Sequence, residues 1–162
     1  MMGSDFKGGA AMNGMCGATV RDLSEGECAV LMAVRLWFRG GTVRSMAAIR
    51  AAFRSAGIPS EALLPLFAFL GVFAAAAARP PRVASPATLD VGEEEAALIE
   101  ALGAFQHGNG DAGLDILDRW LPLVAQCTAA TAVREFGRIL GSAGVFLPYG
   151  RPASSLLSLA AE

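Results

Sequence analysis

The amino-acid sequence predicts an all-α fold: a single domain of about six helices, in orthogonal or bundle-like packing, arranged as two three-helix halves. Three observations carry that reading. Ala and Leu supply 51 of 162 residues against 20 for Val, Ile and Thr together, which excludes an all-β chain. Apolar residues recur at helical spacing in successive runs. Each run also has its own start or stop signal, so local and global cues agree.

Residues 1–20 are Gly-rich and lack periodicity, and read as a flexible arm ahead of a domain spanning 21–152. Ser24 and Glu27 stand at capping-box spacing and open helix one, which runs to about Arg39 with Val30, Val34 and Trp37 on one stripe. Gly40 and Gly41 stop it. Thr42 is the next cap, and helix two (about 43–56) places Met46, Ile49 and Phe53 together before Gly57-Ile58, the order of a left-handed C-terminal cap. Helix three, about 60–78, is a central core helix. Ala62 to Ala78 carries no charge and sits near the lower limit for a membrane span. Pro65 and Gly71 interrupt it, and Glu61 and Arg79 flank it, so no membrane association is expected.

Pro80, Pro81 and Pro86 make residues 79–89 an extended, Pro/Arg-rich connection between the halves. Asp90 and Glu93 repeat the capping spacing and start helix four, about 91–107, with Leu98, Leu102 and Phe105 inward. A tight turn leads to Asp111 and helix five, where Leu114, Leu117 and Leu121 face the core until Pro122 breaks or restarts the helix. Helix six, about 129–143, points Val133, Phe136 and Leu140 inward and stops at Gly144-Val145. Packed irregular chain and a tail at 153–162 complete the sequence.

Net charge is −2 and the pI about 5.4, which provides no global attraction for nucleic acid or anionic lipid. Charge is nonetheless blocked: 21–82 is Arg-rich, 83–118 holds only acids, and 119–151 is again basic. Such blocks are expected to pair within the fold or between subunits. Cys16, Cys28 and Cys127 form no C-x-x-C pair, and the first twenty residues lack an apolar signal segment, so the expected setting is reducing and cytoplasmic. Cys28 and Cys127 read as small buried apolar groups.

No residue is assigned to catalysis, to a cofactor or to a metal. His107, the single histidine, reads as a helix C-terminal capping cation or a solvated turn residue and lacks nearby ligand partners. Glu93, Glu94 and Glu95 diverge by about 100° per step around a helix and read as a solvated first turn. Arg35, Arg39, Arg44, Arg50 and Arg54 fall within twenty residues with no acid among them. Arg44, Arg50 and Arg54 are the candidate contacts for an anion or nucleic acid. The run Leu23-Ser-Glu-Gly-Glu-Cys-Ala-Val-Leu resembles the opening of the helix-turn-helix domain of response regulators, but helix two lacks the polar variety that reads base edges, so DNA binding is a second alternative only.

Over residues 24–151 the order of landmarks resembles small uncharacterised all-helical bacterial proteins: Glu27 with Val34-Arg-Leu-Trp37, then Phe67, a Pro/Arg linker, Glu94-Glu95 with Leu98, and a late Leu147-Pro148. The resemblance implies no activity. The expected function is therefore a non-enzymatic helical interaction or regulatory protein, with a small apolar-ligand-binding protein or enzyme as the alternative. Charged residues make up 17% of the chain, below the roughly 25% usual for soluble domains, which leaves an apolar exterior in need of cover. A homodimer or higher homo-oligomer is expected, with Phe69, Phe73 and Trp37 as candidate interface residues. The competing expectation has the chain from Val145 onward covering Phe69.

Overall fold

Ser24 opens the first helix as its spacing predicts: its hydroxyl accepts the Glu27 N–H at 3.2 Å, and the Glu27 carboxylate accepts the Ser24 N–H at 2.9 Å. The structure is a computed structural model and describes residues 18–150; the 153–162 tail and all but the last residues of the N-terminal arm lie outside it. Five helices follow one another: α1 (Glu25–Ser55), α2 (Leu63–Ala76), α3 (Glu93–Gln106), α4 (Gly110–Leu117) and α5 (Leu123–Ser142). Single 3-10 turns precede α1 and α2, and no strand forms among the described residues beyond an isolated bridge between Thr19 and Asp90. The all-α expectation holds.

The count and the grouping change. Helices one and two form one kinked element, because Gly41 takes φ 70°, ψ −176° and redirects the axis while helix continues on both sides. Glycine alone adopts that backbone readily. The Thr42 hydroxyl accepts the Trp37 indole N–H at 2.9 Å, bracing the bend. Helix five stops at Leu117 and helix six starts at Leu123, with Pro122 as its N-cap, so proline here restarts the chain six residues earlier than the apolar stripe indicated. The two halves also interleave: α2 packs mainly on α5, α3 on α4 and α5, and α1 bridges to α2 and α3.

Helix ends follow the sequence closely. Gly57 and Gly144 are left-handed, and the next residues donate back five positions, Ile58 N–H to Phe53 C=O and Val145 N–H to Leu140 C=O, both at 2.9 Å. Core side chains follow too. Val30, Val34, Ile49, Phe53, Leu98, Leu102, Val133, Phe136 and Leu140 are all buried in one cluster.

Where α1, α3 and the connection between the halves meet lies a buried ion pair. Arg35, on α1, has 0% of its side chain exposed, as does Glu95 on α3. The guanidinium forks onto the carboxylate, Nε to Oε1 at 2.7 Å and Nη2 to Oε2 at 2.9 Å. Two further donors reach the Thr88 and Asp90 carbonyls at 2.6 and 2.8 Å. Glu95 in turn accepts the Ala84 and Gly92 N–H groups, each at 2.9 Å. Three expectations are corrected here. Glu95 belongs to the interior and not to a solvated turn, and Gly92 with Glu95, not Asp90 with Glu93, forms the start of α3. Arg35 likewise leaves the open basic face.

Neighbouring Glu94 holds Arg79 at 2.7 Å and also accepts the Arg82 N–H, so the acidic start of α3 grips the connection along much of its length. The basic and acidic blocks meet within one chain at these two pairs. The first described residues join the same layer, with Val20 N–H donating to Leu89 C=O at 2.7 Å and Val91 N–H to Ala18 C=O at 3.0 Å.

Replacing one partner of the buried pair strands a charge in the interior. Glu95→Gln or Arg35→Met is expected to cost about 3–5 kcal/mol in chemical denaturation, and Arg35→Met combined with Glu95→Leu less than the sum of the two single losses. Burial pushes the Glu95 carboxyl up, but the bonds from Arg35, Gly92 and Ala84 and the Arg35 charge outweigh it and set it below the ordinary carboxylate value. Its contribution is thus fully present above about pH 4.3, the unfolded value, and is lost as pH falls through the lower folded value. Denaturation midpoints across that acid range should flatten in Glu95→Gln; an unchanged acid limb would remove Glu95 from the account.

Candidate functional site

The three arginines named as anion contacts lie on the second half of α1, and all are exposed. Helical phase separates them. Arg50 and Arg54 are one turn apart and share a face, whereas Arg44 points about 80–120° away. Arg50 and Arg54 line a cleft of about 330 Å³ between the end of α1 and the start of α2, together with Phe53, Ile58, Ser60 and Leu63. Arg44 does not line it.

The interface candidates are redistributed. Phe69 and Phe73 are 1% and 3% exposed and stack edge to face within the chain at 5.2 Å, with Phe73 continuing to Trp120 at 5.9 Å. Both are filled from inside the chain and present no surface to a partner. Trp37 is half-buried and engaged by Phe38 and Thr42. The apolar exterior lies elsewhere. Leu64 on α2 and Leu123 and Val124 on α5 are 78%, 69% and 81% exposed.

Between the rims of α2 and α5 runs an open groove of about 720 Å³, with Pro65, Ala68 and Ala132 among its lining and Val124, Cys127, Thr128, Thr131 and Glu135 along the exposed side of α5. Two local features make this face apolar. The Thr128 and Thr131 hydroxyls donate to the Val124 and Cys127 carbonyls, at 3.2 and 3.4 Å, so their methyl groups are left for contact. Glu135, the single ionised residue of the lining, is held by Arg138 of the same helix at 2.7 Å. Cys127 is exposed, which corrects its reading as a buried apolar group, and Cys28 is half-buried. Sequence reasoning placed the exposed contact on the aromatic stripe of α2; the surplus exposure of Leu64 and Val124 becomes visible only once α2 and α5 are neighbours.

His107 caps α3, as its position beside Gly108 predicts, and its Nε2 lies 3.0 Å from the Leu147 carbonyl. It forms part of a latch for the segment 145–149. Gln106 donates to the Gly137 and Val145 carbonyls at 3.2 and 2.8 Å and accepts the Leu147 N–H at 2.7 Å. Tyr149 stacks on the His107 ring and meets Asn109. Among the described residues no cluster of His, Cys, Asp or Glu could hold a metal ion, and no helix is long and apolar enough to cross a membrane. Among the described residues Glu100 is the one carboxyl set above its ordinary value, by partial burial that the Arg119 charge offsets only in part.

No family model, curated protein or solved structure matches the chain.

The latch yields a direct test. A Cβ on Gly103 would stand 2.3 Å from the Pro148 carbonyl oxygen, so Gly103→Ala must displace the 147–148 backbone. Hydrogen exchange at the Leu147 amide is expected to accelerate by about tenfold or more while α5 amides stay protected. Unchanged protection at Leu147 would show the segment to be held by other contacts.

Proposed function

We propose that the chain is a non-enzymatic helical interaction protein that associates with a second copy of itself through the α2–α5 face. The observation that carries this reading is the combination of projecting and receding apolar groups on one surface. Leu64 and Val124 stand proud, and Ala68, Thr128, Thr131 and Ala132 leave a groove beside them. A two-fold contact needs this self-complementarity, because each patch must supply both the knob and the hole. Charge favours the same partner. The only ionised lining group is already paired by Arg138, so two copies can meet without facing like charges. Small side chains on the groove also permit close approach of helices.

Sedimentation at micromolar concentration is expected to give twice the 16.7 kDa chain mass. Val124→Glu should yield monomers, and Leu64→Ala should raise the dissociation constant by at least about tenfold, since its loss counts on both sides of the two-fold. Both positions are largely exposed, so circular dichroism should be unchanged. A 17 kDa species that is stable to tenfold concentration would reject the assembly. An apolar fluorescent probe retained by that monomer, at one molecule per chain, would favour the ligand-binding alternative instead.

A further inference from the structure

We infer that the cleft between α1 and α2 binds a small oxyanion, phosphoryl or carboxyl, carried on an apolar group. Arg35, Arg79 and Arg138 are each paired with a carboxylate, and the Arg119 and Arg134 guanidinium groups sit over the rings of Trp120 and Phe105. Arg50 and Arg54 have no acidic or aromatic partner among the described residues, yet both border a cavity. Two guanidinium groups one helical turn apart offer paired N–H donors at a spacing suited to a single oxyanion, and Arg is the residue whose planar fork matches such groups.

The rest of the cleft defines the ligand's other end. Phe53, Ile58 and Leu63 are buried, at 1%, 3% and 8% exposure, and form an apolar floor. Phe53 is fixed from behind by Phe136, at 6.4 Å between ring centroids. The reversal at Gly57, with φ 72°, lets Ser60 join the lining, where its hydroxyl has no hydrogen-bond partner among the described residues. Glu61 is the nearest acid in sequence, and it does not line the cleft. At about 330 Å³ the space suits a single-ring or short-chain ligand and is too small for a polymer to enter. No lining residue is shared with the α2–α5 groove, so this inference stands apart from self-association.

Isothermal titration of the whole chain at low ionic strength, with phenyl phosphate and with phenylacetate, tests it and separates the two oxyanion sources. Saturable binding of at least one is expected, tighter than inorganic phosphate. Affinity should fall by about tenfold in Arg50→Ala and in Arg54→Ala. It should be retained in Arg44→Ala, which removes the same charge from another face of the helix, and in Val124→Glu. Any of three results overturns the inference: no saturable heat from either ligand, an equal loss in Arg44→Ala, or binding of duplex DNA alone, which would mark a diffuse basic surface rather than a cleft.

Discussion

The fold depends on a charge pair placed where apolar side chains would ordinarily go. Removing an arginine and a glutamate from water costs several kcal/mol each, and their attraction repays that only when geometry is good and every remaining donor and acceptor is used. Arg35 and Glu95 come close to that condition: four of the five guanidinium N–H donors are engaged, two by the carboxylate and two by carbonyls, and the carboxylate also accepts two backbone N–H groups. What the pair organises explains why it is there. The connection between α2 and α3 has three prolines and buries only Pro81 and Val91, so it cannot hold its path by burial alone. Arg35 fixes the Thr88 and Asp90 carbonyls, Glu95 fixes Ala84 and Gly92, and the whole connection is bound to α1 and α3 by hydrogen bonds.

A consequence follows for the entry of the chain. Because Asp90 and its neighbours are held in an extended path, their outward backbone groups are free to pair with Ala18 to Val20, which closes the layer over the start of α1. The kink at Gly41 has a matching role at the other end. It redirects the second half of α1, whose Phe53 packs on Phe136 of α5 and whose Arg50 and Arg54 stand beside the start of α2. One arginine of the basic run is thereby consumed in the core, and two are left free at a cleft.

Much of the fold was legible because its signals are local. Capping at Ser24-Glu27, the left-handed ends at Gly57 and Gly144, and the stripes through Val30, Leu98 and Val133 each depend on residues within a turn or two. The Arg35–Glu95 pair was not legible, since its members are separated by 60 residues and look, to any local rule, like surface charges. The merger of helices one and two had a clear signal in Gly40-Gly41, but the same glycines allow a stop or a bend. At the candidate site, Arg50 and Arg54 were visible as an i,i+4 pair, while the cleft beside them required the α1–α2 turn in three dimensions. Phe69 misled for a related reason: a helix apolar on every side gives no phase from which to tell the core from the exterior.

That absence of phase in α2 also bears on what the exterior is for. Its deep side is satisfied by Leu66, Phe69, Leu70 and Phe73, packed on α5 and on the aromatic chain through Trp120. Its outer side keeps Leu64 in water, and α5 keeps Leu123 and Val124 there as well, although the sequence could have supplied charge at little cost to the core. Elsewhere on α5 the outward positions are polar or charged, as at Arg134, Glu135 and Arg138. Three of the six large apolar side chains most exposed among the described residues, Leu64, Leu123 and Val124, thus group at one end of the α2–α5 seam, the others being Val43, Leu89 and Phe146. A chain short of charge overall would scatter apolar residues over its surface. The placement of Leu64 and Val124 beside one groove, with the adjacent threonine hydroxyls turned inward onto their own helix, is instead the arrangement of a surface shaped for contact.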